Sequence, residues 1–280
     1  MIIRDVILEG SNLLKKKKIL SACLDSELLM SNLLNKDRNY LLMNDNDSIK
    51  GETYHKFIKL IERRSLNVPI SYIINKKFFW KHEFFVNQNV LIPRPDTEIV
   101  VEQVLRITKK KDKFRILEVG VGSGCLLLSI LDERRYFEGV GIDKSIECCK
   151  ITKINAEKLK LRNHIKIFKT SIDNFNLGKY DLIISNPPYI NKSEILSLDV
   201  GVRKFEPKIA LDGGYNGLCN FISLIKKSKK LLNKRGKLVL EIGYKQKKSV
   251  SKILIDEGFN NIKCIKDYAN NDRCIVSTKG

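Results

Sequence analysis

Two short stretches of this 280-residue chain place side chains where they could do chemistry. The sharper is Asn186-Pro187-Pro188-Tyr189, which directly follows the apolar run Asp181-Leu182-Ile183-Ile184-Ser185. Adjacent prolines remove two amide donors and stiffen the backbone, so the carbonyls before them stay free to accept hydrogen bonds. Asn186 adds a side-chain oxygen and an NH2 group. A planar NH2 group could set one hydrogen on the Asn186 side-chain oxygen and the other on the Pro187 carbonyl, with Tyr189 stacked over its plane. An amide nitrogen needs such a grip, because its lone pair is delocalised into the carbonyl. Fixing both hydrogens favours pyramidalisation and aims the lone pair at an electrophile. Positioning can be worth about 7–11 kcal/mol in favourable cases, and oriented acceptors favour the positive charge that develops on nitrogen. The plain alternative is a proline-rich turn at the end of a strand.

The second stretch is Ile116-Leu117-Glu118-Val119-Gly120-Val121-Gly122-Ser123-Gly124, an apolar strand running into alternating glycines and then an apolar helix. Glycines are needed where a backbone turns sharply and a ligand must approach without a Cβ in the way. Asp143 ends the next strand, 19 residues beyond Gly124. An acid there can accept hydrogen bonds from both hydroxyls of a ribose, so the two features together predict a nucleoside-binding crevice. A dinucleotide site would carry Gly-x-Gly-x-x-Gly, but the last position here is Cys125. Glu118, ahead of the glycines, also departs from the nicotinamide pattern. The loop instead resembles the first motif of class I methyltransferases, which contacts the methionine part of S-adenosylmethionine. A tight turn without a ligand is the alternative.

The elements that must hold these stretches follow from hydrophobic patterning. Residues 1 to about 75 read as helical, with Leu13, Leu14, Ile19, Leu20, Leu28, Leu29, Leu33 and Leu34 at helix-compatible intervals and a further helix over Ile49 to Arg64. From Phe78 to Leu91, β-favouring aromatics flank a polar Lys81-His82-Glu83 break, which predicts a hairpin whose rings pack mainly between two domains. The prolines of Ile92-Pro93-Arg94-Pro95-Asp96 forbid helix, and Asp96 is placed to cap the helix that follows. Beyond Lys113, strands are predicted at Arg115–Val119, Gly139–Ile142, Ile165–Phe168, Asp181–Ser185 and Lys237–Glu241. Two more are predicted near Ile262–Ile265 and Arg273–Ser277, with helices between, including Ser145–Lys160 and Asn220–Leu232. The alternation implies an α/β, Rossmann-like domain whose seven-stranded, mostly parallel sheet is covered on both faces. The expected division is a helical domain over 1–75, a hairpin and linker over 76–95, and a methyltransferase domain over 96–280.

Composition narrows the class. Hydrophobic residues make up 43% and charged residues 30%, which fits a globular protein and argues against a disordered chain. No run approaches the roughly 20 apolar residues that span a bilayer, and Met1-Ile2-Ile3-Arg4-Asp5 does not read as a secretory signal. A cytoplasmic protein is expected. The seven cysteines include no Cys-x-x-Cys pair, and His55, His82 and His164 are scattered, so neither disulfides nor a metal site is expected. The net charge of +20 could mark a nucleic-acid neighbourhood. Yet only 13 of the 52 basic residues are Arg, the side chain suited to bidentate phosphate and base contacts, and the Lys, Ile and Asn abundance fits a background compositional bias.

The chain resembles the HemK/PrmC family of protein-(glutamine N5) methyltransferases along nearly its whole length. The resemblance rests on the helical N-terminal region, Leu91-Ile92-Pro93-Arg94-Pro95-Asp96-Thr97-Glu98, the glycine loop, and Asn186-Pro187-Pro188-Tyr189-Ile190. Val202-Arg203-Lys204-Phe205-Glu206-Pro207 and the late Asp267-Tyr268-Ala269-Asn270-Asn271-Asp272-Arg273 also fit. It implies S-adenosylmethionine as cofactor, bound by Glu118, Gly120, Val121, Gly122, Ser123, Gly124, Asp143, Ile172 and Asn186. It implies that Asn186, Pro187, Pro188 and Tyr189 hold the glutamine of the Gly-Gly-Gln loop of peptide chain release factors. The helical domain would recognise the factor, and Arg94 to Glu98 would lie beside the site. The family's acid and apolar pair after the third strand is replaced by Ser171 and Ile172, so Ile172 is left to pack on the adenine. A monomer with no direct nucleic-acid substrate is expected. The rival reading is N6-adenine methylation of DNA or RNA, whose exocyclic amine is also a conjugated NH2 and would have to be flipped out. A non-catalytic release-factor or ribosome-binding protein is a third.

Overall fold

The computed structural model describes residues 1–280. In chain order it contains α1 (Ile3–Lys16), α2 (Ala22–Leu34), α3 (Arg38–Met43), α4 (Gly51–Ser65) and α5 (Ile70–Ile74), then β1 (Lys76–Phe79) and β2 (His82–Phe85). There follow α6 (Glu98–Ile107), β3 (Arg115–Val119), α7 (Cys125–Glu133), β4 (Glu138–Asp143), α8 (Ile146–Lys158), β5 (Ile165–Lys169) and β6 (Tyr180–Ser185). The chain ends with α9 (Val200–Phe205), α10 (Cys219–Leu231), β7 (Leu232–Glu241), α11 (Lys247–Asp256), β8 (Phe259–Lys266) and β9 (Asp272–Lys279). It divides into two compact units, one of Met1–Lys76 with Asp199–Phe205, the other of Lys77–Leu198 with Glu206–Gly280.

The smaller unit is helical. Ile3, Val6, Gly10 and Leu14 recur at three- and four-residue intervals and put one face of α1 into the core. Leu29 and Met30 of α2 and Phe57 and Ile61 of α4 complete that core. Asp25, only 2% exposed, accepts at Oδ2 from Ser21 Oγ at 2.7 Å and from Arg64 Nε at 2.7 Å, so the one acid buried there is paired with a cation.

The larger unit is a three-layer α/β sandwich. Its seven strands run in the order β5-β4-β3-β6-β7-β9-β8, parallel throughout except for β9. Strands of such a sheet are buried on both faces and read as continuous apolar runs. In β6, Leu182 and Ile184 join the core beneath α6, α7 and α8, while Ile183 faces the opposite core beneath α10 and α11. From β3 the chain proceeds outward to β4 and β5 and then returns to the other side of β3 as β6. That reversal opens a crevice beyond the carboxyl ends of β3 and β6, where ligands settle in open α/β sheets.

Three local expectations are corrected. The hairpin turns at Trp80 and Lys81, with Trp80 at φ +56°, so His82 and Glu83 lie in β2 rather than in the break. Its buried rings, Phe79 and Phe84, belong to the core of the larger unit instead of forming an inter-domain layer. Asp96 does not cap α6: it sits inside a short 3-10 turn, Pro95–Thr97, and points a carboxylate oxygen to 3.4 Å from Arg273 Nη2. In α8, by contrast, Ser145 is a true N-cap that accepts from the Cys148 N–H.

Candidate active site

A cavity of about 600 Å³ occupies the crevice, and all of its lining comes from the larger unit. That volume is in the range of small-molecule sites. One wall is the turn after β3. Gly120 and Gly122 adopt φ of +76° and +55°, and a Cβ on either would meet no protein atom within 4 Å. Only cavity space faces them. Gly124 differs: at φ +81° its Cβ would come within 2.9 Å of Thr152 Cγ2, so it serves close packing of the turn against α8, and it does not line the cavity. Thr152 donates to the Gly122 carbonyl, and the buried Asn155 donates to the Ser123 carbonyl and ties the same turn to Phe85 of β2. The hairpin thus braces the glycine turn.

Asp143 stands at the end of β4 with Oδ2 accepting from Gly122 N at 3.0 Å and Oδ1 from Ser145 N at 2.9 Å. A carboxylate offers about four lone-pair sites, so each oxygen keeps capacity for a ligand hydroxyl. Ile172 is buried and lines the cavity together with Ser171. Glu118 is buried at the cavity floor, where Oε2 accepts from the Leu127 N–H in the first turn of α7. Burial raises its carboxyl well above the ordinary range, and the nearby negative Asp143 adds to the rise. A cationic ligand would relieve that penalty.

Asn186, Pro187 and Pro188 form the facing wall. Asn186 Nδ2 donates to Thr97 Oγ1 at 3.3 Å, and no protein donor reaches its Oδ1 or the Pro187 carbonyl. The Pro188 carbonyl is instead satisfied by Asn220 Nδ2 at 2.9 Å, which also donates to the Asp212 carbonyl and pins the corner to α10. Beside them, Arg94 extends into the cavity lining while Nη2 donates to Glu206 Oε1 at 2.6 Å; the other oxygen of Glu206 accepts from Ile92 N. This pair gives the Pro93-Arg94 segment its fixed place and accounts for the Phe205-Glu206-Pro207 stretch.

Tyr189 lies elsewhere than sequence reasoning put it. Its side chain does not line the cavity. The hydroxyl donates to Glu241 Oε1 at 3.1 Å, and the ring packs on the core beneath α10 and α11. Burial and the adjacent Glu241 raise its pKa. A stacking role over a substrate held at the prolines therefore does not follow from this geometry. Glu241, Asn155 and Asn220 are the residues that sequence reasoning missed, whereas Thr97 falls in the Arg94 to Glu98 stretch expected beside the site and does line the cavity. Each missed residue acts through a contact between elements far apart in the chain, and only the acid at the end of a strand beside the Asn186 strand gave a signal.

Residues 5–74 match the PrmC N-terminal domain, and residues 96–203 match the methyltransferase small domain. A release factor glutamine methyltransferase of Clostridium botulinum is 39% identical across 100% of both chains. The chain belongs to the release factor glutamine methyltransferase family. A bifunctional methyltransferase of Rickettsia conorii is 33% identical over 98% of this chain, which spans 57% of that longer protein. Among solved structures, a methyltransferase from Pyrococcus furiosus superposes with a TM-score of 0.54 at 18% identity, covering 70% of this chain and 88% of its own. That likeness is one of fold. The family-model matches leave out Asp143's neighbourhood in no respect: strand β4, the glycine turn and the Asn186 corner all fall within residues 96–203. No helix is long and apolar enough to cross a membrane.

Proposed function

We propose that this chain transfers a methyl group from S-adenosylmethionine to the side-chain amide nitrogen of the glutamine in the Gly-Gly-Gln loop of peptide chain release factors. The observation that carries the reading is the sharing of one cavity by an open glycine turn with Asp143 and by two unpartnered acceptors, Asn186 Oδ1 and the Pro187 carbonyl. The residues present suit the cofactor. Gly120, Val121, Gly122 and Ser123 would pass along its methionine part, Asp143 would receive its ribose hydroxyls, and Ile172 would pack on its adenine. Glu118 would gain a cationic neighbour. When bound, the cofactor supplies an electrophilic methyl group on a sulfonium centre.

The chain's own residues do the rest. Asn186 Oδ1 and the Pro187 carbonyl each accept one hydrogen of the glutamine NH2 group and fix its plane. The stiff double proline and the Asn220 bond to Pro188 keep that pair from relaxing, so the acceptors need not reorganise as charge grows on nitrogen. No side chain has to remove a proton before transfer; the methylated nitrogen, cationic once the methyl has left the sulfonium, gives up one of its two hydrogens to solvent afterwards. Pro188 supports the corner, and Tyr189 anchors it from the core side through Glu241. Recognition of the factor is assigned to the helical region, residues 1–75, and the chemistry to residues 96–280. The enzyme is proposed to act in the cytoplasm as a monomer.

The test incubates the protein with methyl-labelled S-adenosylmethionine and, separately, a release factor, the same factor with its Gly-Gly-Gln glutamine replaced by Ala, and DNA. Label entering only the intact factor supports the reading. Label in DNA, or in the Ala-substituted factor, overturns it in favour of an amine or another acceptor.

A further inference from the structure

One guanidinium behind the Asn186 corner joins parts of the chain that lie far apart in sequence. Arg273, the second residue of β9, has a side chain only 12% exposed. Its Nε donates to Asp267 Oδ2 at 3.0 Å. Asp267 is buried, and its Oδ1 accepts from Ala269 N at 3.0 Å and from Asn271 N at 2.9 Å. The turn between β8 and β9 is thus folded around the acid that aims the guanidinium. From that anchor Nη1 donates to the Tyr189 hydroxyl and to the Ile242 carbonyl, both at 3.4 Å. Nη2 stands 3.4 Å from Asp96 Oδ2.

Two of these partners adjoin the acceptors of the corner from opposite sides. Asp96 immediately precedes Thr97, whose Oγ1 receives Asn186 Nδ2 at 3.3 Å, the one protein hydrogen bond of that side chain. Tyr189 follows Pro187 by two residues, and its hydroxyl is held between Glu241 Oε1 at 3.1 Å and Arg273 Nη1. A shift of Asp96 therefore carries Thr97 and Asn186 Oδ1 with it, and a shift of Tyr189 carries the prolines and the Pro187 carbonyl. A planar guanidinium offers five donors in a rigid fork, whereas a lysine ammonium is a compact charge on a flexible stem. The Asp96 carboxylate is more than half exposed, so its pairing with Arg273 is screened by solvent. That pair adds little to stability; what it fixes is where the turn stands.

We propose that Arg273 is a positioning residue for methyl transfer, its guanidinium setting the spacing between Asn186 Oδ1 and the Pro187 carbonyl by holding Asp96 on one side and Tyr189 on the other. This role rests on the reading of that pair as the acceptors for an amide NH2 group. Two acceptors that must meet the two hydrogens of one flat group tolerate little error in spacing, since a misplacement of about 1 Å can cost about 10² in rate. The cofactor side is held separately. None of Arg273, Asp267, Tyr189 and Asp96 lines the cavity. The glycine turn is tied to α8 by Thr152 and Asn155, and Asp143 is held by the N–H groups of Gly122 and Ser145. Loss of Arg273 should therefore appear in turnover and leave cofactor affinity alone.

The test measures labelled methyl transfer to a release factor and calorimetric binding of S-adenosylhomocysteine. It uses the full chain with Arg273→Gln, Arg273→Lys, Asp96→Asn and Tyr189→Phe, each alone and combined with Asn186→Ala. Arg273→Gln should lower kcat about tenfold or more, with the dissociation constant of S-adenosylhomocysteine within about twofold of native. Arg273→Lys should not restore the rate, because an ammonium cannot span the same partners. Asp96→Asn and Tyr189→Phe each remove one arm and should lower kcat about twofold to fivefold. In the Asn186→Ala background Arg273→Gln should cost a clearly smaller factor, because part of what the guanidinium positions is already gone. A purely structural arginine would cost the same factor in both backgrounds. Equal factors overturn the proposal, as do a native kcat in Arg273→Gln and a cofactor affinity that falls together with kcat. If Arg273→Gln does not fold, Asp96→Asn and Tyr189→Phe decide by the same comparison. Failure of the functional reading looks different: the native chain would transfer nothing to the factor, or Asn186→Ala would transfer as fast as the native chain.

Discussion

The glycine turn offers a way to separate folding from binding within four residues. Alanine at Gly120 must adopt a φ of +76° but meets no protein atom, whereas alanine at Gly124 must adopt +81° and place its Cβ 2.9 Å from Thr152 Cγ2 and 3.0 Å from Leu128 Cδ1. The left-handed conformation costs an L-residue about 1–2 kcal/mol. At Gly124 a close-packing penalty of about 1–3 kcal/mol is added, because Thr152 is fully buried and tied by its hydroxyl to the Gly122 carbonyl and cannot easily give way. Gly120→Ala should therefore lose about 1–2 kcal/mol, and Gly124→Ala about 2–5 kcal/mol, at about 2–4 °C of Tm per kcal/mol for a unit of this size. Binding should rank the other way. The new methyl at Gly120 enters the cavity, so Gly120→Ala should weaken S-adenosylmethionine about tenfold or more, and Gly124→Ala by clearly less. Thermal unfolding without ligand and calorimetric titration of the cofactor measure the two quantities. The reasoning is refuted if Gly124→Ala is the more stable variant, or if Gly120→Ala binds the cofactor as well as the native chain.

Three further expectations follow from particular contacts. Asn186→Ala removes one of two oriented acceptors and should cut kcat by about 10²–10³, while the cofactor dissociation constant measured by calorimetry stays near the native value. Glu241 has a folded pKa of about 7 against an ordinary 4.5, so the folded state holds a proton that the unfolded chain releases and stability falls as pH rises between those values. Glu241→Gln removes that cost, and denaturant titrations should show it gaining up to about 3 kcal/mol at pH 8 and almost nothing at pH 4.5. Asp25→Ala leaves the largely buried Arg64 without its carboxylate and should cost about 3–5 kcal/mol, read as early loss of the helical unit in hydrogen exchange.

Much of the larger unit was legible because its physics is local. Leu182, Ile183 and Ile184 form a short continuous apolar run of the kind a strand buried on both faces shows, and the alternation of such runs with amphipathic stretches pointed to the sheet. The glycine turn and Asp143 were legible because ligand approach and a ribose diol restrict the residue types that can serve. What escaped depends on contacts across the sequence. Whether Tyr189 faces the cavity or the core is decided by Glu241 on the neighbouring strand, 52 residues away. Asp96 looked like a helix cap because it follows a proline-rich stretch and precedes a helix, yet Arg273, brought in by β9, claims its carboxylate. The hairpin aromatics suggested an inter-domain layer, but Asn155 on α8 holds β2 against the glycine turn and commits Phe79 and Phe84 to the larger core.

Transfer to the glutamine depends on which atoms of the chain hold its amide. A crystal structure of the protein with S-adenosylhomocysteine and a Gly-Gly-Gln peptide measures this directly. The amide nitrogen is expected within about 3 Å of both Asn186 Oδ1 and the Pro187 carbonyl, with the cofactor over the glycine turn. A glutamine seated away from that corner, or one that turns its amide oxygen toward Asn186, would contradict the account.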